Sequence, residues 1–156
     1  MLRVDVRLLR EGSVPTEGSL GPDDPVFADL DATLAEPVRV GGMLQAAGRE
    51  TYYWHGRIAG VLRGECRRCL TEVLTPFEST VRVVFSADPA TADDPGVYPL
   101  GHPVTVVDVT TAVREEVGLA APMLPLCREA CAGLCPRCGE DLNQGPCACQ
   151  AARDAH

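Results

Sequence analysis

The stretch Val73-Leu74-Thr75-Pro76-Phe77-Glu78-Ser79-Thr80-Val81-Arg82-Val83-Val84-Phe85 decides the fold class. Val73, Thr75, Phe77, Ser79, Val81, Val83 and Phe85 fall on one side of a period-two pattern, with Glu78, Thr80 and Arg82 on the other, which predicts a long half-buried strand. Pro76 has no backbone N–H to give a neighbour, so it belongs at an edge or a bulge. Upstream, Thr51 to Leu62, Val38 to Leu44 and Phe27 to Leu34 read as strands, broken at Ala47-Gly48 and Glu36-Pro37. Connections that short suit an antiparallel meander. Leu2, Val4, Val6 and Leu8 alternate as a first strand would. Glu11 to Pro25, with three prolines and three glycines, reads as a loop. Downstream, Ala87 to Gly101 is loop-like and Val104 to Val107 strand-like. Asp108 is placed to cap a helix over Val109 to Leu119, ended by Pro122.

The expected fold class is therefore α+β: a mainly antiparallel β body, forming a partly open barrel-like sheet, with one helix and a zinc-ribbon-like C-terminal tail. Residues 1–125 would form the body. Residues 126–156 would form a cysteine-rich tail packed on it within a single domain.

A chain of 156 residues is long enough to bury its own core. Hydrophobic residues make up 46% but aromatics only 4%, so the core must be built mainly of Val, Leu and Ala. No apolar run approaches the length of a membrane span, and Met1 to Arg7 alternates charge with aliphatics in place of an apolar signal region. These features point to a cytoplasmic protein with no membrane partner. The formal charge of −8 disfavours a self-sufficient grip on a polyanion.

Eight cysteines carry the strongest local signal. Cys135-Pro136-Arg137-Cys138-Gly139 spells a zinc knuckle, in which two thiolates hold one ion, backbone N–H groups point at the sulfurs and Gly139 closes the turn. Its second half could be Cys147 and Cys149, or Cys127 and Cys131, and spacing alone does not choose. Cys66-Arg67-Arg68-Cys69 is a further pair, placed between two strands in a hairpin-like turn. The preferred partition is Cys66 and Cys69 with Cys127 and Cys131, and Cys135 and Cys138 with Cys147 and Cys149, giving two structural zinc ions. Buried free thiols acting as small hydrophobes are the plainer alternative. A redox role for Cys66 and Cys69 needs a helix N-terminus, where strands are expected. Cys131, Cys135 and Cys138 also match the C-x3-C-x2-C of cluster-binding radical enzymes, but that motif belongs near the start of a large α/β barrel. Zinc held by four thiolates has no open position for substrate, and two such sites would take the charge from −8 to about −12.

His55, His102 and His156 are isolated, and no catalytic constellation or phosphate loop is present, so no enzyme activity and no small-molecule substrate are expected. Gly56, Gly60 and Gly64 share a strand face and suit close packing. Arg57, Arg63, Arg67 and Arg68, opposed only by Glu65, make a local positive patch just after Tyr52, Tyr53 and Trp54. Arginines beside exposed rings suit RNA contact. The competing reading buries the rings and leaves the arginines solvated or paired.

Gly64-Glu65-Cys66-Arg67-Arg68-Cys69-Leu70 and Leu126 to Cys149, LCREACAGLCPRCGEDLNQGPCAC, resemble the YceD family of large ribosomal RNA subunit accumulation proteins. The resemblance implies a bacterial, cytoplasmic, non-enzymatic ribosome-biogenesis factor, needed for large-subunit ribosomal RNA to accumulate or be processed. Its implied partners are the precursor RNA, a basic ribosomal protein, or both. Relatives that keep the C-x-x-C but lack the terminal knuckle favour the pairing of Cys66 and Cys69 with Cys127 and Cys131. Only the eight cysteines and Arg67-Arg68 carry over by position. The alternative is a zinc-ribbon interaction module acting on other machinery such as transcription.

Overall fold

The computed structural model describes residues 1–154. Its strands are β1 (Arg3–Asp5), β2 (Val14–Leu20), β3 (Thr33–Leu34), β4 (Val38–Gly48), β5 (Thr51–Glu65), β6 (Glu72–Ser86), β7 (Val97–Pro99) and β8 (Val106–Asp108). The helices are α1 (Thr110–Ala120) and the short α2 (Ala148–Asp154). One sheet runs β2-β4-β5-β6-β7, with β3 also on β5, and β1 pairs with β8 in a second. The β2–β4 and β4–β5 pairs are antiparallel, β6–β7 is parallel, and the sheet is not closed into a barrel. An α+β architecture with one helix in the sheet-bearing part and a cysteine-rich end is what the pattern called for.

The chain divides into two compact units. One holds Met1–Leu62 and Pro76–Ala121; the other holds Arg63–Thr75, the tip of the β5–β6 hairpin, with the chain from Pro122 onward.

In the first unit, the alternation quoted above forms β6, with Val81 and Phe85 buried. Phe85 stacks on Tyr98 of β7 with ring centroids 5.1 Å apart. β7 pairs only with Val84 to Ser86, so Pro76 lies on the stretch of β6 that β7 does not cover, where its missing donor costs nothing. Tyr52, Trp54, Ile58 and Leu62 point inward from β5. The Trp54 indole is fully buried and its N–H donates to Thr16 Oγ1 at 2.8 Å, satisfying both polar groups. A Cβ on Gly56 would stand 2.6 Å from that indole, which is why the strand carries glycine there. Asp108 Oδ1 accepts from the Thr110 N–H at 3.0 Å and opens α1, which buries Ala112, Val113 and Val117.

Several expectations fail. Ala87 to Gly101 is not all loop, because Val97–Pro99 pairs with the end of β6. Glu11 to Pro25 is not a loop, because Val14–Leu20 pairs along its whole length with β4. Phe27 to Leu34 is not a strand. Asp24 Oδ1 accepts from the Val26 N–H and starts a 3-10 turn at Pro25–Phe27, and only Thr33–Leu34 is extended. The first strand is also shorter than expected, giving way to a 3-10 turn at Leu8–Arg10. No helix among the described residues is long and apolar enough to cross a membrane.

Candidate metal centres

The second unit is built on two turns of one design. In Cys66-Arg67-Arg68-Cys69-Leu70 the Leu70 N–H donates to the Cys66 carbonyl at 2.9 Å, and the Cys66 N–H to the Thr71 carbonyl at 2.8 Å. In Cys135-Pro136-Arg137-Cys138-Gly139 the Gly139 N–H donates to the Cys135 carbonyl at 2.9 Å, and the Cys135 N–H to the Glu140 carbonyl at 2.8 Å. Each turn is closed by a residue at positive φ, +62° at Leu70 and +77° at Gly139. This tight turn sets both side chains of a C-x-x-C on one side and aims amides at their sulfurs.

Two thiol groups result. Cys66, Cys69, Cys127 and Cys131 form the first, and Cys135, Cys138, Cys147 and Cys149 the second; within each, all sulfurs lie within 4.8 Å of one another. The structure thus brings the eight cysteines together in the preferred one of the partitions that spacing left open. In the first group Cys66 and Cys131 sulfurs are 3.8 Å apart, and those of Cys69 and Cys127 3.6 Å. A tetrahedron with metal–sulfur bonds of about 2.3 Å has edges of about 3.8 Å, whereas a disulfide needs about 2.05 Å. All eight are free thiols, so the donor sets fit a thiophilic ion such as zinc.

The electrostatics agree. Burial opposes ionisation of Cys66, but the amides of Cys127, Cys69 and Arg68 outweigh it and hold the thiol down at about 6. The amides of Cys138 and Arg137 do the same for Cys135, also at about 6; the Arg137 N–H lies 3.5 Å from its sulfur. Once one thiolate has formed, its neighbours resist. Hydrogen bonding to Cys131, with burial, pushes Cys127 up to about 12. The Glu140 amide favours the Cys138 thiolate, yet burial and the surrounding sulfurs push it up to about 12. Four sulfurs this close can all ionise only around a cation.

The arginine patch divides. Arg57 Nε pairs with Glu78 at 3.3 Å and Arg63 with Glu72 at 3.4 Å, all well exposed. Arg68 Nη1 donates to the carbonyls of Cys131 at 3.0 Å and Glu129 at 3.3 Å, clamping the loop that carries two thiols. Arg67 is exposed on the turn, and its backbone N–H donates to the Pro125 carbonyl. The rings do not form a platform beside these arginines: Tyr52 and Trp54 are core residues, and Tyr53, stacked on His55 at 5.8 Å, is the ring on the other face. Strand parity carried that signal, since Tyr52 and Trp54 share the register of Ile58 and Leu62. His102 Nε2 lies 3.4 Å from Glu50, and His156 lies outside the described residues.

Sequence reasoning missed Asn143. Its Oδ1 accepts from Ala132 N–H at 2.8 Å and Arg128 Nη2 at 2.7 Å, and its Nδ2 lies 3.4 Å from the Cys131 sulfur. Its being the sole asparagine of the chain was the one available hint.

Fold and donor sets together define a β-sheet protein with two all-sulfur, metal-competent centres in one unit. The chain belongs to the YceD family, described as large ribosomal RNA subunit accumulation protein, whose model matches residues 54–155. Uncharacterized proteins of Mycobacterium bovis and Mycobacterium tuberculosis are each 34% identical to it over 93 residues, 58% of this chain and 45% of theirs. One of Mycobacterium leprae is 34% identical over 96 residues, 43% of its length. The matched region thus spans less than half the length of these curated relatives. No solved structure matches significantly.

Proposed function

We propose that the protein is a non-enzymatic ribosome-biogenesis factor supporting accumulation or processing of large-subunit ribosomal RNA, a zinc-stabilised adaptor for precursor RNA or for a ribosomal protein. Family membership supplies the ribosomal connection. The observation that carries the rest is the make-up of the two centres, four sulfurs each with no other donor class among the described residues. Zinc in such a set is coordinatively full, so it shapes a surface and activates no water. That surface is the Cys66–Cys69 turn, with Arg67 as the leading contact and Arg63 beside it. Arg57 and Arg63 each carry an exposed acidic partner, Glu78 and Glu72, that a phosphate would have to displace, and Arg68 is engaged by the loop carbonyls.

The test is co-sedimentation of tagged protein with large-subunit precursors. Arg67→Glu should weaken it several-fold with metal content unchanged. For two or three neutralised phosphates the logarithmic salt slope should be about −2. Association untouched by the reversal would overturn the arginine contact and point to a basic ribosomal protein on the acidic surface. Co-purification with another machinery, such as polymerase, in place of precursors would overturn the ribosomal reading itself.

A further inference from the structure

Asn143 belongs by sequence to the second thiol group, in the loop between Cys138 and Cys147, yet its side chain serves the first. Asp141 Oδ1 accepts from the Asn143 N–H at 2.9 Å and from Nδ2 at 2.7 Å, which fixes the amide in one orientation. The other Nδ2 hydrogen is then free for the Cys131 sulfur, 3.4 Å away. Oδ1 meanwhile holds Ala132 N–H, the residue after that cysteine, and Arg128, three before it. The loop that aims Asn143 is itself tied down at both ends of the second knuckle: Cys135 N–H donates to Glu140 O at 2.8 Å and Leu142 N–H to Gly133 O at 2.9 Å. An ion shared by Cys138 and Cys147 would fix the ends of that loop.

We propose that Asn143 couples the two centres: held by the loop of the second, its amide donates to the sulfur of Cys131 in the first, so that the first binds metal more tightly when the second is filled. A thiolate that accepts an N–H bond is stabilised as a ligand, and partners of this kind usually change metal affinity about 10- to 100-fold. Coupling is reciprocal, so filling the first centre tightens the second by the same factor. The inference rests on the reading that both groups hold metal, and that reading has its own readout.

The experiment is a titration of metal-free full-length protein with cobalt(II), following the thiolate charge-transfer band against a competing chelator. Two equivalents should bind; absence of the band from the wild type would defeat the metal reading, not the coupling. First-centre affinity is then compared with the second centre intact and with it removed by Cys138→Ser plus Cys149→Ser. The wild-type ratio should be at least roughly 10-fold. In an Asn143→Ala background it should fall to near one. Asn143→Asp has the same shape and keeps an oxygen for Ala132 N–H but loses the donor to sulfur, so it should lose the coupling as well. Arg128→Ala removes a different arm of Asn143 and should keep it. A wild-type ratio near one, or a wild-type ratio retained in both Asn143 variants, overturns the proposal.

Discussion

Leu70 and Gly139 occupy the same place in two turns: each follows the second cysteine of a C-x-x-C, and each donates its N–H to the first cysteine's carbonyl at 2.9 Å. Glycine takes the left-handed conformation without steric penalty, whereas a leucine there is strained by roughly 1–2 kcal/mol. Leu70 is 60% exposed, so little packing offsets that strain.

Leu70→Gly should therefore stabilise the metal-loaded protein by about 0.5–1 kcal/mol, after allowing for the extra backbone entropy of glycine. Gly139→Ala should destabilise it by about 1 kcal/mol. Chemical denaturation with metal held constant measures both. Equal and opposite signs to these would show that the turns are not equivalent.

Metal removal should proceed in order. Each group has one exposed cysteine, Cys127 in the first and Cys138 in the second. The second also has Cys149 only half-buried, whereas the other three of the first, Cys66, Cys69 and Cys131, are all buried. Native mass spectrometry should find two zinc ions per chain, with a chelator taking the second centre's first. Cys66→Ser and Cys131→Ser should each lose the same ion, and Cys138→Ser the one it shares with Cys149. Bound iron, or retention of both ions by Cys66→Ser, would contradict the assignment.

Adjacent arginines should separate. Arg68→Ala removes two charged donors from loop carbonyls and should cost about 1 kcal/mol, together with weaker metal retention at the first centre. Arg67→Ala should leave stability within about 0.5 kcal/mol and reduce precursor association instead. Thermal unfolding and co-sedimentation of the two variants, side by side, provide the check.

Tyr98 offers a pH test in the first unit. Burial, and then its hydrogen bond to Glu115 at 2.5 Å, raise its phenol well above the ordinary value of 10. A group raised on folding stabilises fully below its unfolded pKa and ceases to do so as pH climbs through the folded value. The wild type should hence outlast Tyr98→Phe at pH 8 and lose that advantage progressively above pH 10. An advantage that persists at high pH would mean the hydroxyl is not the source.

What could be read from the residues followed their periodicity. β6 was legible because its two faces differ in polarity over thirteen residues, and the thiol groups because C-x-x-C has few other uses. β2 was hidden by Pro15 and Gly18. It sits at the sheet margin with β4 as its one partner, and a strand in that position tolerates a missing N–H where an inner one would not. Arg68 and Asn143 were illegible for a different reason. What they do depends on carbonyls and a sulfur supplied by distant turns, and no local pattern encodes those meetings.

The two centres also differ in how much chain they enclose. The first joins thiols 65 and 58 positions apart, so an ion there ties off a ring containing all of β6, β7, β8 and α1. By analogy with a covalent cross-link, closing a ring of about 60 residues restrains the unfolded chain by about 4 kcal/mol. During synthesis its first two ligands must wait, with their sulfurs unpaired, until some sixty further residues have emerged. The second centre spans only the last stretch and can close as soon as Cys149 arrives. Newly made chains starved of zinc should consequently be most vulnerable to oxidation at Cys66 and Cys69.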